Sequence, residues 1–106
     1  MPSPLTVHVT ITIDPSNLPT FYSALKTLSE KLKQEPECLY LNVFEIAQSP
    51  GVVRLVEMWD ADVEWMMNVQ SKKEYYGPFF EVVEKIQVGE RKVEVLAVKE
   101  GFKFAK

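Results

Sequence analysis

The stretch that decides the fold is CLYLNVFEIAQSPGVVRLVEMW, Cys38 to Trp59. Alternating β-branched and aromatic residues make Cys38–Ile46 one strand and Val52–Trp59 another. The turn cluster Gln48-Ser49-Pro50-Gly51 joins them as an antiparallel hairpin. Toward the N-terminus, Leu5–Ile13 alternates Val7, Val9, Ile11 and Ile13 with Thr6, His8, Thr10 and Thr12, the period of a strand. Asp14-Pro15-Ser16-Asn17 ends it. Phe21, Leu25, Leu28 and Leu32 then recur at helical spacing, so an amphipathic helix runs from about Leu18 to Lys33, capped by Asn17 or Ser16 and closed by Pro36. Pro19 is tolerated in its first turn, where the backbone N–H has no intrahelical partner.

Toward the C-terminus, Asp60 and Asp62 offer caps for a short helix through Val63, Met66, Met67 and Val69. Ser71-Lys72-Lys73-Glu74 has capping-box spacing and predicts a further helix start. Its stripe is Tyr75, Phe79, Val82 or Val83, and Ile86, interrupted at Gly77-Pro78 and ending before Gly89. Arg91–Val98 is the last strand, and a tail follows over 99–106. The order β-α-β-β-α-α-β folds most simply as two split βαβ units. The predicted class is α+β: a ferredoxin-like, four-stranded antiparallel sheet with helices on one face. The other face keeps Tyr40 or Phe44 beside Thr6, Thr10 and Thr12, so a partner sheet is expected to cover it. Phe102 and Phe104 alternate with Lys103, and either cross onto that second subunit or pack on their own helices.

A chain of 106 residues has room for one domain, with its core over about 5–98. Hydrophobic residues at 46% and charged residues at 25% exclude disordered, collagenous and coiled-coil compositions. A net charge of −3 gives no basic footprint for nucleic acid. Cys38 is the single cysteine and His8 the single histidine, so neither an intrachain disulfide nor a zinc-type ligand cluster is expected. No apolar run approaches a membrane span, and Met1-Pro2-Ser3-Pro4 lacks the features of a secretory leader, which makes the cytoplasm the default.

Three landmarks carry a resemblance: Glu35-Pro36-Glu37-Cys38-Leu39; the strand end Val56-Glu57-Met58-Trp59 with acidic residues after it; and Asn68-Val69-Gln70-Ser71 ahead of an aromatic-rich helix. From about Val7 to Val98 the chain resembles the antibiotic biosynthesis monooxygenase family. The resemblance implies a homodimeric α+β barrel, with two sheets face to face and a pocket in each subunit between sheet and helices. Members of that family include cofactor-free oxygenases of polycyclic phenols and anthrones, haem-degrading enzymes, and proteins of no known activity. Related barrels cyclise polyketides, so fold alone selects no chemistry. Glu37 stands where the family often has Gly, and Asn68 where it often has His. Val9 replaces the Asn of haem-degrading relatives and no histidine follows His8, so haem ligation is not expected.

Asn42, Arg54, Asn68, Tyr75, Tyr76 and Arg91 are polar groups that can project among apolar walls supplied by Trp59, Trp65, Met66, Met67, Phe79 and Phe80. Small aromatic ligands need that combination. With the resemblance, the expected function is a cofactor-independent monooxygenase of a small aromatic or polyketide-type metabolite, oxidising an anthrone, naphthol or quinol. Dioxygen is the co-substrate, and no cofactor or metal takes part. Asn68, Tyr76 and Tyr75 are the candidate catalytic residues, Asn68 donating to a substrate oxyanion and a tyrosine donating or relaying a proton. Asn42, Trp59, Trp65, Met66, Phe79 and Phe80 are the candidate substrate-binding residues. Plainer roles compete. Trp59 packs under the helix that follows, Asn68 satisfies free helix carbonyls, and Arg54 and Arg91 pair at the surface with Glu57 or Glu94. Of Tyr75 and Tyr76 only one lines the pocket, because neighbours on a helix point about 100° apart. Two other functions stay open: a polyketide cyclase or isomerase in the same pocket, and a non-catalytic dimeric binding protein whose pocket its own side chains fill.

Overall fold

The computed structural model describes residues 4–106; Met1, Pro2 and Ser3, part of the leader reading, lie outside them. Strand β1 (Leu5–Thr12) pairs antiparallel with β3 (Val52–Trp59) on one side and β4 (Lys92–Leu96) on the other, and β3 also pairs antiparallel with β2 (Cys38–Glu45). The strand order β2-β3-β1-β4 is that of the ferredoxin-like α+β sandwich. Cross-strand partners share a face, so Val7, Val9 and Ile11 of β1 lie beside Glu57, Leu55 and Val53 of β3. Helix α1 (Leu18–Leu32) buries Phe21, Leu25, Leu28 and Leu32 in the core with them, and α3 (Tyr76–Ile86) buries Phe79 and Val83. Full burial of each such side chain contributes about 1.5–3 kcal/mol. The Phe21 and Phe79 rings, 6.1 Å apart, tie the two helices together.

A bulge between Cys38 and Tyr40 leaves Leu39 as an extra residue in β2. Beyond it Leu41 and Val43 pack against the core, while Tyr40, Asn42 and Phe44 share the opposite, exposed face. The helix starts differ from the sequence reading. The Asp14 carboxylate accepts from Ser16 N and Ser16 Oγ and caps a 3-10 turn, Pro15–Asn17, which leads into α1; Asn17 makes no side-chain cap. Helix α2 (Val63–Asn68) is capped by Asp62, whose carboxylate accepts from Trp65 N at 2.8 Å, a contact worth about 1 kcal/mol. The Ser71–Glu74 box does not form. Ser71 Oγ donates to the Met67 carbonyl instead, Gln70–Lys72 is a 3-10 turn, and α3 begins at Tyr76. Pro78 sets that start: lacking an N–H, it fits the first turn of a helix and would break one begun at Ser71. The last strand stops at Leu96, and Phe102 and Phe104, 81% and 80% exposed, do not pack on their own helices. No helix among the described residues is long and apolar enough to cross a membrane.

Gly51 closes the β2–β3 hairpin with φ +89°. Its carbonyl accepts from Ile13 N at 2.7 Å, and a Cβ there would overlap the Ile13 carbonyl oxygen. Gly89 also has positive φ (+73°), but with open space around it. Gly89→Ala should therefore cost about 1–2 kcal/mol, the backbone penalty alone. Gly51→Ala should cost distinctly more, both read by urea denaturation; equal losses would mean that the hairpin yields without disturbing Ile13.

Candidate functional site

The helices do not cover the sheet evenly. Between β1 and β4 on one side and the α2–α3 segment on the other lies a cleft with two adjoining chambers. The inner one, 210 Å³, is lined by Val9, Glu57, Gln70, Tyr76 and Phe80. The outer one, 500 Å³, is almost wholly apolar and adds Leu5, Val63, Met67 and Val95; Val7, Met66, Ser71 and Val93 line both. A further groove of 420 Å³ runs between α1 and α3 past Ala24, Leu28, Pro78 and Val82. The cleft is the better candidate, because the inner chamber is where the chain's buried polar side chains converge on an apolar wall.

Those side chains are Glu57, 7% exposed, and Gln70, 1% exposed. Trp59 Nε1 donates to Glu57 Oε1 at 2.8 Å. Gln70 Nε2 donates to the Tyr75 hydroxyl at 2.7 Å and the Tyr76 hydroxyl at 2.9 Å, and Gln70 Oε1 has no partner. Burial pushes the Glu57 carboxyl above its ordinary range, opposed by the indole hydrogen bond, which favours the charged form. Burial likewise raises Tyr76, with Glu57, Tyr75 and Cys38 adding to it while the Gln70 amide holds it back, so its phenol stays protonated. Tyr75 and Cys38 shift the same way, burial being the largest cause for each.

Local structure holds the cluster in place. The 3-10 turn brings Gln70 inward directly after exposed Asn68 and Val69, and the start of α3 presents Tyr75 and Tyr76 side by side, rings 5.0 Å apart. Tyr76 stacks on Phe80 at 6.0 Å, and the Arg91 guanidinium sits 4.2 Å above that ring. Lys73 pairs with Glu35 at 3.5 Å, linking this turn to the end of the α1 connection.

Of the predicted residues, the structure brings Tyr76, Met66 and Phe80 to the cleft. Tyr75 lines the α1–α3 groove, although its hydroxyl meets that of Tyr76 at Gln70. Trp59 is fully buried, with Trp65 6.3 Å away, and Phe79 belongs to the core and lines the α1–α3 groove; none of the three lines the cleft. Two expectations are corrected. Asn42 lies on the far face of the sheet, its Nδ2 donating to the Tyr40 hydroxyl at 3.0 Å, because it shares the two-residue period of Tyr40 and Phe44. Asn68 ends α2 exposed and outside the cleft lining. The surface pairs also differ: Arg54 Nε donates to Thr10 Oγ1 at 3.1 Å, Glu57 points to the other face, and Glu94 pairs with Lys92 at 3.6 Å. Sequence reasoning missed Glu57 and Gln70. Glu57 was legible, as the one charge on a strand face otherwise made of Val53, Leu55 and Trp59; Gln70, in an aperiodic turn, carried no signal.

The profile described as antibiotic biosynthesis monooxygenase matches residues 4–72. A protein of Pestalotiopsis microspora named "putative monooxygenase" is 35% identical over 106 residues, covering 99% of this chain and 88% of its own. Among solved structures, an antibiotic biosynthesis monooxygenase superposes with a TM-score of 0.79 at 21% identity, over 90% of this chain and 98% of that one. Rv0793 of Mycobacterium tuberculosis gives 0.80 at 18% identity, over 95% and 100%. The fold is that of the monooxygenase-like α+β proteins. The chain belongs to the antibiotic biosynthesis monooxygenase family.

The raised Glu57 carboxyl has a consequence for stability. Between its ordinary value of 4.5 and its raised folded value, the native state holds a proton that the unfolded chain has lost. Its contribution to stability therefore falls as pH rises through that window and stays lower above it. Glu57→Gln keeps the acceptor for Trp59 and removes the titration. The Tm of Glu57→Gln relative to the parent should be higher at pH 8 than at pH 4, and a difference independent of pH would show that the carboxyl titrates normally.

Proposed function

We propose that the protein is a cofactor-independent monooxygenase of a small aromatic or polyketide-type metabolite, with anthrones, naphthols and quinols as the substrate class. The observation that carries this reading is the cleft, an apolar chamber closed at one end by the Tyr76 phenol and the buried Gln70 amide. Family membership and the fold support it, as does the donor set: the single histidine, His8, pairs across the sheet with Val56 on the face away from the cleft.

In this reading the deprotonated substrate itself gives an electron to dioxygen. The two radicals combine at carbon, and the resulting hydroperoxide loses water to leave a carbonyl, so that CH2 and O2 become C=O and H2O. The protein binds the anion, orients it and excludes water. Tyr76, held protonated, donates to the substrate oxyanion. Its hydroxyl accepts from Gln70 Nε2, which keeps the phenolic proton available for the substrate. Tyr75, on the same amide, fixes that geometry. Met66, Phe80 and Val93 form the walls.

The working unit in this proposal is a homodimer joined through the open sheet face. That face exposes Tyr40, Phe44 and Leu96 beside half-buried Val56 and Met58, a patch that water leaves unsatisfied. The tail with Phe102 and Phe104 extends to the partner.

Protein stripped of metal should consume dioxygen with an anthrone or naphthol, and Tyr76→Phe should slow uptake by about 100-fold. Uptake abolished by a chelator would overturn the cofactor-free mechanism, and anaerobic rearrangement in place of uptake would favour a cyclase. Light scattering at micromolar concentration should give twice 12.2 kDa; a monomer mass would overturn the dimer.

A further inference from the structure

Glu57 has no structural reason to be a carboxylate. It sits on β3, with Leu41 of β2 and Val7 of β1 directly opposite and Leu55 and Trp59 beside it on the same face. Those neighbours on the sheet are apolar, and the polar groups that face it from across the chamber, Tyr76 and Gln70, bring no positive charge. Among the described residues no cation pairs with it; the ion pairs join Lys73 to Glu35 and Lys92 to Glu94. Its partner is the neutral indole N–H of Trp59, and a glutamine would accept that hydrogen bond without desolvating a charge. What a glutamine lacks is the capacity to take a proton. Oε1 accepts from Trp59, no described residue donates to the other oxygen, and the side chain lines the inner chamber.

Across the chamber stand two groups of complementary kind. Tyr76 offers a phenolic proton, and Gln70 contributes a carbonyl oxygen with no partner in a side chain that is 99% buried, its exposure being 1%. A buried acceptor with no protein partner beside a cavity can take a donor from an occupant of that cavity or from water. The chamber therefore fits a flat apolar molecule carrying at least one hydroxyl.

The geometry points to Glu57 as the proton acceptor of the cleft, acting on a hydroxylated aromatic substrate whose hydroxyl donates to Gln70 Oε1. The assignment rests on the monooxygenase reading and deepens it by naming the base that reading requires. In the step, a C–H or phenolic O–H bond of the substrate breaks, an O–H bond forms on Glu57, and the electron pair stays on the substrate as its enolate or phenolate. Dioxygen then takes up the anion as a peroxide. Glu57 returns its proton to the terminal peroxide oxygen, and loss of water leaves the carbonyl and a free carboxylate.

The surroundings suit a base. Facing Glu57 are Tyr76 from α3, Gln70 from the turn before it, Cys38 from β2 and Trp59 on its own strand, while β1 and β4 present Val7, Val9 and Val93. Tyr76 and Cys38 shift upward from ordinary values already above that of a carboxyl, so Glu57 is the most acidic group of this set. Burial also moves it up, which brings its basicity closer to that of the proton it must take.

A hydroxylated anthrone, 1,8-dihydroxyanthrone, is a suitable probe, because it carries the hydroxyls and its methylene exchanges with solvent deuterium in the absence of oxygen. The experiment follows that exchange by NMR under nitrogen, and oxygen uptake in parallel, both above the buffer rate. Wild-type protein should accelerate both, and the exchange rate should rise with pH along one ionisation whose midpoint lies above that of a free carboxyl. Glu57→Gln should lose about 100-fold or more in each while still quenching its tryptophan fluorescence on binding the hydroxylated anthrone. If Glu57→Gln exchanges at the wild-type rate, or the wild type takes up oxygen without exchange, the assignment falls and the oxygenase reading stands. If Glu57→Gln does not fold, the wild-type profile decides, a flat profile across acid pH overturning the base. Exchange by the wild type and not by Glu57→Gln, with no uptake, keeps the base and removes the oxygenase. A wild type that does neither overturns both.

Discussion

Because β3 runs through the interior of the sheet, with β2 on one side and β1 on the other, its two-residue period sorts the whole molecule into a helix side and an open side. Val53, Leu55, Glu57 and Trp59 fall inward; Val52, Arg54, Val56 and Met58 fall outward. A slip of one residue would exchange the two sets and place Arg54 under the helices. The hydrophobic inward set forbids the slip, and by forbidding it holds Glu57 in the core. The Leu39 bulge lets β2 follow the same sorting even though Cys38 and Leu41 both join the inward side.

How much of this was legible in the sequence depends on which residues had a period to obey. The β1 and β3 strands and the α1 stripe were readable because each repeats one face over several residues, and the strand order follows from the element order. The errors sit where a local signal competed with a stronger constraint. Ser71 and Glu74 have the spacing of a cap, but Pro78 admits a helix only when it falls in the first turn. Asn42 was read as projecting among the apolar walls while Tyr40 or Phe44 was given to the opposite face, and all three share one face of the strand. Asn68 ends α2 and Gln70 opens the 3-10 turn after it, and no period runs across that junction to say which of them points inward.

The polar end of the cleft is costly to maintain. An ionised carboxyl out of water loses several kcal/mol of hydration, and an unpaired buried acceptor costs about 1–3 kcal/mol. The chain carries both within one chamber, and ties them to a scaffold on which Trp59, Phe21 and Val83 are wholly buried. Such groups are destabilising in a resting fold and become favourable only when something enters to meet them. That asymmetry distinguishes the inner chamber from the α1–α3 groove, where the Tyr75 hydroxyl already has its partner in Gln70.

The same reasoning bears on access. The outer chamber is apolar and lies against β4, whose Val93 and Val95 remain more than half exposed although they share a face with Val9 and Val7. A substrate that reached the polar end by this route would shed its water along Leu5, Met67 and Val95 before it met a charge. Desolvation would then precede proton transfer, which is the order a buried carboxylate needs, since its pull on a proton is strongest once the competing water has gone. The edge position of β4 thus does more than end the sheet: it leaves two inward valines uncovered by helix, and these line the apolar chamber that adjoins the one holding Glu57.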